Sequence, residues 1–98
     1  MVTFSRKIEN LDDLRSYIHK VLCDQEQLLL GAFRMTERLL TRGGRPCGLY
    51  FCVHGPRSVK ISAVWDASSG AVLFYGSSGE RFHKMLLDED LQLEFASD

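Results

Sequence analysis

Residues 46–86 read PCGLYFCVHGPRSVKISAVWDASSGAVLFYGSSGERFHKML, and the punctuation of this stretch decides the fold. Clusters of Gly, Pro and Ser recur at close spacing, with β-branched and aromatic runs between them, which is the pattern of an antiparallel strand meander. The runs are Pro46 to His54, Ser58 to Asp66, Ala71 to Gly76 and Glu80 to Leu87. Gly55-Pro56-Arg57, Ala67-Ser68-Ser69-Gly70 and Ser77-Ser78-Gly79 separate them, and each is the size of a hairpin loop.

Facing residues of an antiparallel pair point to the same side of the sheet, so parity tests the register. A loop at 55–57 pairs His54 with Ser58 and puts Leu49, Phe51 and Val53 on one face with Val59, Ile61 and Ala63. A loop at 67–70 pairs Asp66 with Ala71 and brings Trp65 opposite Val72 and Ala63 opposite Phe74. A loop at 77–79, ending in Gly79 where a left-handed residue is wanted, pairs Phe74 with Phe82. All three hairpins specify one apolar face. Lys84 alone breaks the pattern by pointing inward, which predicts a bend, a bulge or the end of the last strand near it.

Upstream, Asn10 is a good N-cap, Asp12 and Asp13 follow in the first turn, and Leu11, Leu14, Ile18, Val21 and Leu22 recur at helical steps. This predicts an amphipathic helix over 11–27, with Arg15, Ser16, His19, Lys20, Asp24 and Gln27 on its solvated side. Val2 to Ser5 reads as an edge strand or a frayed end. Residues 32–42 admit two readings. As a strand, Phe33, Met35 and Leu39 alternate with Arg34, Thr36 and Arg38, and the Gly43-Gly44 turn pairs the segment with Cys47 to Val53. As a helix, Ala32, Met35, Thr36, Leu39 and Leu40 share a stripe and Gly43 is the C-cap. The Gly-Gly turn before a good strand favours the first. Beyond Asp88, Leu91, Leu93 and Phe95 alternate with Gln92, Glu94 and Ala96, as in a short strand or an acidic closing segment.

The expected fold is therefore α+β and two-layered, an N-terminal helix packed on a four- to five-stranded antiparallel meander. Its 98 residues suit one domain, able to bury roughly 65% of the unfolded chain's surface. With 45% hydrophobic and 26% charged residues, the chain has the makings of a globular core and is unlike a disordered or coiled-coil sequence. A net charge of −1 means that any nucleic-acid site would have to be a local patch. Eight of the twelve cations are Arg, the better bidentate partner for carboxylate and phosphate.

Cys23, Cys47 and Cys52 follow a start without a secretory leader, an arrangement expected of a reducing cytoplasm. Cys47 and Cys52 with His54 approach zinc spacing, but Cys23, His19 and His83 offer no second tight pair. Three buried apolar thiols, and no metal or cofactor, are the expectation. No apolar run approaches the ~20 residues of a membrane span.

The sheet face away from the helix is the candidate site, and it carries Arg34, Arg38, Arg42, Tyr50, Cys52, His54, Lys60, Ser62, Tyr75, Arg81 and His83. Arg34, Arg38 and Arg42 share one side in either reading of 32–42. Such a surface suits an anion or an acidic partner, with Tyr50 and Tyr75 able to stack, or is a solvated face whose Arg stems cover apolar atoms. His54 and His83 have the chemistry of an acid–base pair, and each also reads as an ordinary surface residue. No nucleophile elbow, zinc-protease, CxxC or Walker pattern occurs, so an enzyme is not indicated.

Three functions follow. The favoured one is a non-catalytic interaction module for a protein partner or a second copy, since edge strands and the apolar run Val72 to Tyr75 ask for cover. In the second, with 32–42 helical, the order strand, helix, helix, meander is similar to the small ribonuclease toxins of bacterial toxin–antitoxin pairs. That resemblance implies RNA as substrate and Arg57, Lys60, Arg81 and His83 as the nearest functional candidates. The third is a small-ligand pocket beneath the helix, lined by Trp65 and other aromatics.

Overall fold

The computed structural model describes the backbone of residues 2–3 and residues 10–29 and 32–87 in full. One helix packs on a sheet of six strands, β1 (Val2–Thr3), β2 (Met35–Arg42), β3 (Arg45–His54), β4 (Lys60–Asp66), β5 (Ala71–Tyr75) and β6 (Arg81–Leu86), in the spatial order β1-β6-β5-β4-β3-β2. Five strands form the expected antiparallel meander, and β1 joins β6 in parallel at the far edge. The alternation at Val2 and Thr3 thus makes an edge strand. The tail beyond Asp88 lies outside the described residues.

Helix α1 (Leu11–Gln25) begins where the side chain of Asn10, itself extended, accepts the Asp13 N–H at 2.8 Å. Leu14, Ile18, Leu22 and Cys23 are buried along one stripe, which lies over β3 and β4. The helix stops two residues short of the expected end. Gln27 takes a left-handed conformation (φ 56°), and Leu28 N–H then bonds back to the Cys23 carbonyl at 2.8 Å, a cap normally signalled by glycine.

Residues 35–42 are strand, so the order strand, helix, helix and meander is not the one this chain adopts. Gly43 (φ 59°) and Gly44 (φ 79°) supply the two left-handed residues of the tight turn, and Arg42 pairs with Arg45 across it. One extra residue, Cys47, bulges from β3 between the pairs Leu40–Gly48 and Thr41–Pro46.

Leu49, Phe51, Val53, Ile61, Ala63, Trp65, Val72, Phe74 and Met85 form the inner face of the sheet and are buried against the helix stripe. Two registers differ from expectation. The loop after β3 is five residues long because Gly55 N–H closes on the Val59 carbonyl and Arg57 and Ser58 both turn left-handed. His54 therefore faces Lys60, two residues beyond Ser58, and parity is preserved. After the three-residue loop with its left-handed Gly79, Tyr75 pairs with Arg81 as parity requires, but the next pair is Phe74–His83. Phe82 is the extra residue of a bulge. That bulge resolves the Lys84 misfit by sending Lys84 to the outer face opposite Leu73 and seating Met85 in the core.

Candidate functional site

The outer face of the sheet is built by the complementary residues of each strand. Arg38, Tyr50, His54 and Lys60, all anticipated, line one open depression of about 380 Å³ together with Thr36, Leu40 and Cys52. Lys60 faces His54, Arg38 faces Tyr50 and Thr36 faces Cys52, so three adjacent strands set the geometry. Thr36 Oγ1 lies 3.4 Å from the Cys52 carbonyl and 3.0 Å from His54 Nε2. The hydroxyl has one proton, so it donates either to the carbonyl or to an unprotonated Nε2, and the tautomer of the ring decides which. This geometry holds the imidazole beside the hydroxyl.

The remaining candidates are spread around this centre. Arg34 sits just before β2, where its carbonyl accepts the His54 N–H at 3.1 Å. Arg42 stands at the hairpin tip directly opposite Arg45, and both are exposed. Tyr75 and Arg81 pair with each other on the outer face, but β5 lies three strand spacings, about 14 Å, from β2. Tyr50 and Tyr75 are half-buried.

His83 does not belong to this face. The bulge at Phe82 turns it to the helix side, where its ring centroid is 5.2 Å from that of Phe74 and where it lines a separate depression with Tyr17, Asp24 and Phe82. His54 and His83 are on opposite sides of the sheet and do not form an acid–base pair. Arg57, on the loop, and His83, on the helix side, likewise do not converge with Lys60 and Arg81. Trp65, expected to line a pocket beneath the helix, is fully buried within the core cluster.

Burial pushes the His83 imidazole below its ordinary value of 6.5. The fold favours the neutral ring, so above that value His83 costs nothing. As pH falls below it, the unfolded chain takes up the proton first and stability declines until the folded-state pKa is passed. The stability lost between pH ~7.5 and ~5.5, read from urea midpoints, is expected to be smaller in His83→Gln than in the parent chain.

Charge is divided between the two faces. The helix side holds Asp12, Asp13, Asp24 and Glu37, and the three ion pairs among the described residues are all there. Arg15 clamps Glu37 through Nε (2.6 Å) and Nη2 (3.1 Å) and reaches Asp12 at 2.8 Å, and Lys20 pairs with Asp24 at 2.9 Å. The Glu37 clamp ties β2 to the helix and raises the Arg15 pKa. It also commits the one carboxylate of β2 to the helix side.

Arg34, Arg38, Arg42, Arg45, Lys60, Arg81 and Lys84 lie on the outer face and its rim without ion pairs among the described residues. Asp66 is the one carboxylate of the outer face of the described strands. It accepts hydrogen bonds from Ser68 N–H (2.9 Å) and Oγ (2.7 Å), which hold its pKa below the usual range.

Cys23 and Cys52 are buried and Cys47 is half-buried, all as free thiols, with burial raising the Cys23 pKa. Cys47 departs from the expectation of full burial because it is the bulged residue. Sequence parity already offered Thr36 as an outer-face neighbour of Arg38, whereas Leu40 was placed only on the helical stripe and Lys84 became legible only with the Phe82 bulge. Among the described residues no helix is long and apolar enough to cross a membrane. Comparisons with protein-family models, curated proteins and solved structures find no match to this chain.

Proposed function

We propose that this chain is a non-catalytic interaction module whose outer sheet face receives an acidic protein partner. The observation that carries the reading is the separation of charge. Among the described residues, seven cations lie on one face and its rim, while the helix-side cations Arg15 and Lys20 are paired internally. Arg42 and Arg45 face each other directly, a like-charge arrangement that destabilises a hairpin unless an anion answers it.

The floor of the face supports a protein partner over a nucleic acid. Leu40, Cys52, Val64 and Leu73 outnumber Tyr50 and Tyr75, and an aliphatic floor gives bases little to stack on.

The triple variant Arg34→Ser, Arg38→Ser, Arg42→Ser tests this role. All three residues are exposed, so melting is expected to shift by no more than about 3 °C. Binding of poly-L-glutamate, measured by calorimetry, is expected to weaken roughly tenfold or more, equivalent to about 1.4 kcal/mol. Unchanged binding would remove the Arg row from the site. A large loss of stability would make it structural.

A further inference from the structure

The outer edge of β2 is open, since β2 ends the sheet order and no other described strand pairs with its free side. Which of its backbone groups are free follows from one bond. His54 N–H donates to the Arg34 carbonyl, so Arg34 belongs to the set bonded to β3, and Thr36, Arg38 and Leu40 belong to it by alternation. The N–H and C=O groups of Met35, Glu37 and Leu39 therefore point away from the sheet. Their side chains lie on the helix side, where Leu39 is 51% exposed although its partner Leu49 is buried. The outer side of the same strand carries Arg34, Arg38 and Arg42.

We infer that the acidic partner binds as an added β-strand along β2, its backbone bonded to Met35, Glu37 and Leu39 and its carboxylates set beside Arg34, Arg38 and Arg42. This rests on the reading of the outer face as the acidic-partner site and adds the partner's conformation and spacing. The three Arg recur every fourth residue, about 13 Å apart, so the partner strand needs carboxylates at the same four-residue interval on one side. On its other side an apolar residue covers Leu39. Backbone bonds supply affinity and side-chain alternation supplies specificity in such additions.

A second copy of this chain suits the edge less well. With the two-fold axis at Glu37 or Arg38, an antiparallel β2–β2 pair sets like charges directly opposite, and with the axis at Leu39 it gathers six Arg on one side. An acidic strand turns the same charges to advantage.

The test uses the full chain and a synthetic nonapeptide, acetyl-Glu-Thr-Val-Thr-Glu-Leu-Val-Thr-Glu-amide, against the same peptide N-methylated at alternate residues on its bonding edge. Amide NMR is expected to show shifts and slowed hydrogen exchange at Met35, Glu37 and Leu39, with the N-methylated peptide roughly tenfold weaker. Equal binding of both peptides, with shifts at Tyr50 and Lys60 but not at the β2 edge, would overturn strand addition while leaving the acidic-partner face standing. Binding of neither peptide would overturn both. Sedimentation velocity showing a peptide-free dimer whose β2 amides are already protected would give the edge to a second copy and overturn the inference.

Discussion

Trp65→Ala is expected to lower stability by about 3–5 kcal/mol, read as a drop in the urea midpoint with little change in slope. Trp65 is the largest fully buried side chain, near the end of β4 between Leu49 on β3 and Val72 on β5 and within the core roofed by Leu14, Ile18 and Leu22. Its removal leaves a cavity bounded by a helix and three bonded strands, and close-packed surroundings of that kind relax only partly. A loss below about 1 kcal/mol would mean that the site collapses freely or that Trp65 is not a core residue at all.

Gly48→Ala is expected to be nearly as costly, about 3 kcal/mol, although it adds a single methyl group. A Cβ at Gly48 would run into the backbone carbonyl of Trp65 on the facing strand. Backbone on both sides leaves no side chain to swing away, so the strands themselves must part. The approach is set by the Cys47 bulge, which brings β3 close to β4 beside Gly48. Gly43→Ala is the control. Nothing lies within 4 Å of a Cβ there, so its cost is only that of the left-handed turn, about 1 kcal/mol. Equal losses at the two positions would remove the steric argument.

Much of this fold is legible in the chain because local signals agree with one another. Asn10 caps, Asp12 and Asp13 follow, and the apolar stripe of α1 runs on from them. Gly43-Gly44 selects a tight hairpin and Asp66–Ala71 closes a four-residue loop, and the structure has both. What was not legible depends on backbone choices that residue types leave open. Gln27, Arg57 and Ser58 adopt left-handed conformations that glycine or asparagine would have announced. The Phe82 bulge follows from competition between the Gly79 turn and the burial of Met85, and its effect was to carry His83 from the expected outer face to the helix side. The face itself was readable, since Arg34, Arg38, Arg42, Tyr50, His54 and Lys60 keep parity when the loop after β3 lengthens by two residues. The pairing of Arg15 with Glu37 was not, because it joins residues far apart in sequence and depends on how the helix lies over the sheet.

The pairing has a consequence for function. By holding Glu37 on the helix side, Arg15 leaves the cations of β2 unanswered within their own strand. The described part of the sheet thus has a packed side whose cations are paired and an outer side whose cations are not, a division of labour that suits recognition by charge and shape.

The most direct measurement is an amide NMR titration of the full chain with poly-L-glutamate at low and at physiological salt, run beside an equal titration with oligouridine. Saturable, salt-weakened shifts are expected at Arg38, Tyr50, His54 and Lys60, none along α1, with a weaker response to oligouridine. Shifts confined to the helix side, or tighter and more strongly salt-dependent binding of oligouridine, would contradict the acidic-partner reading.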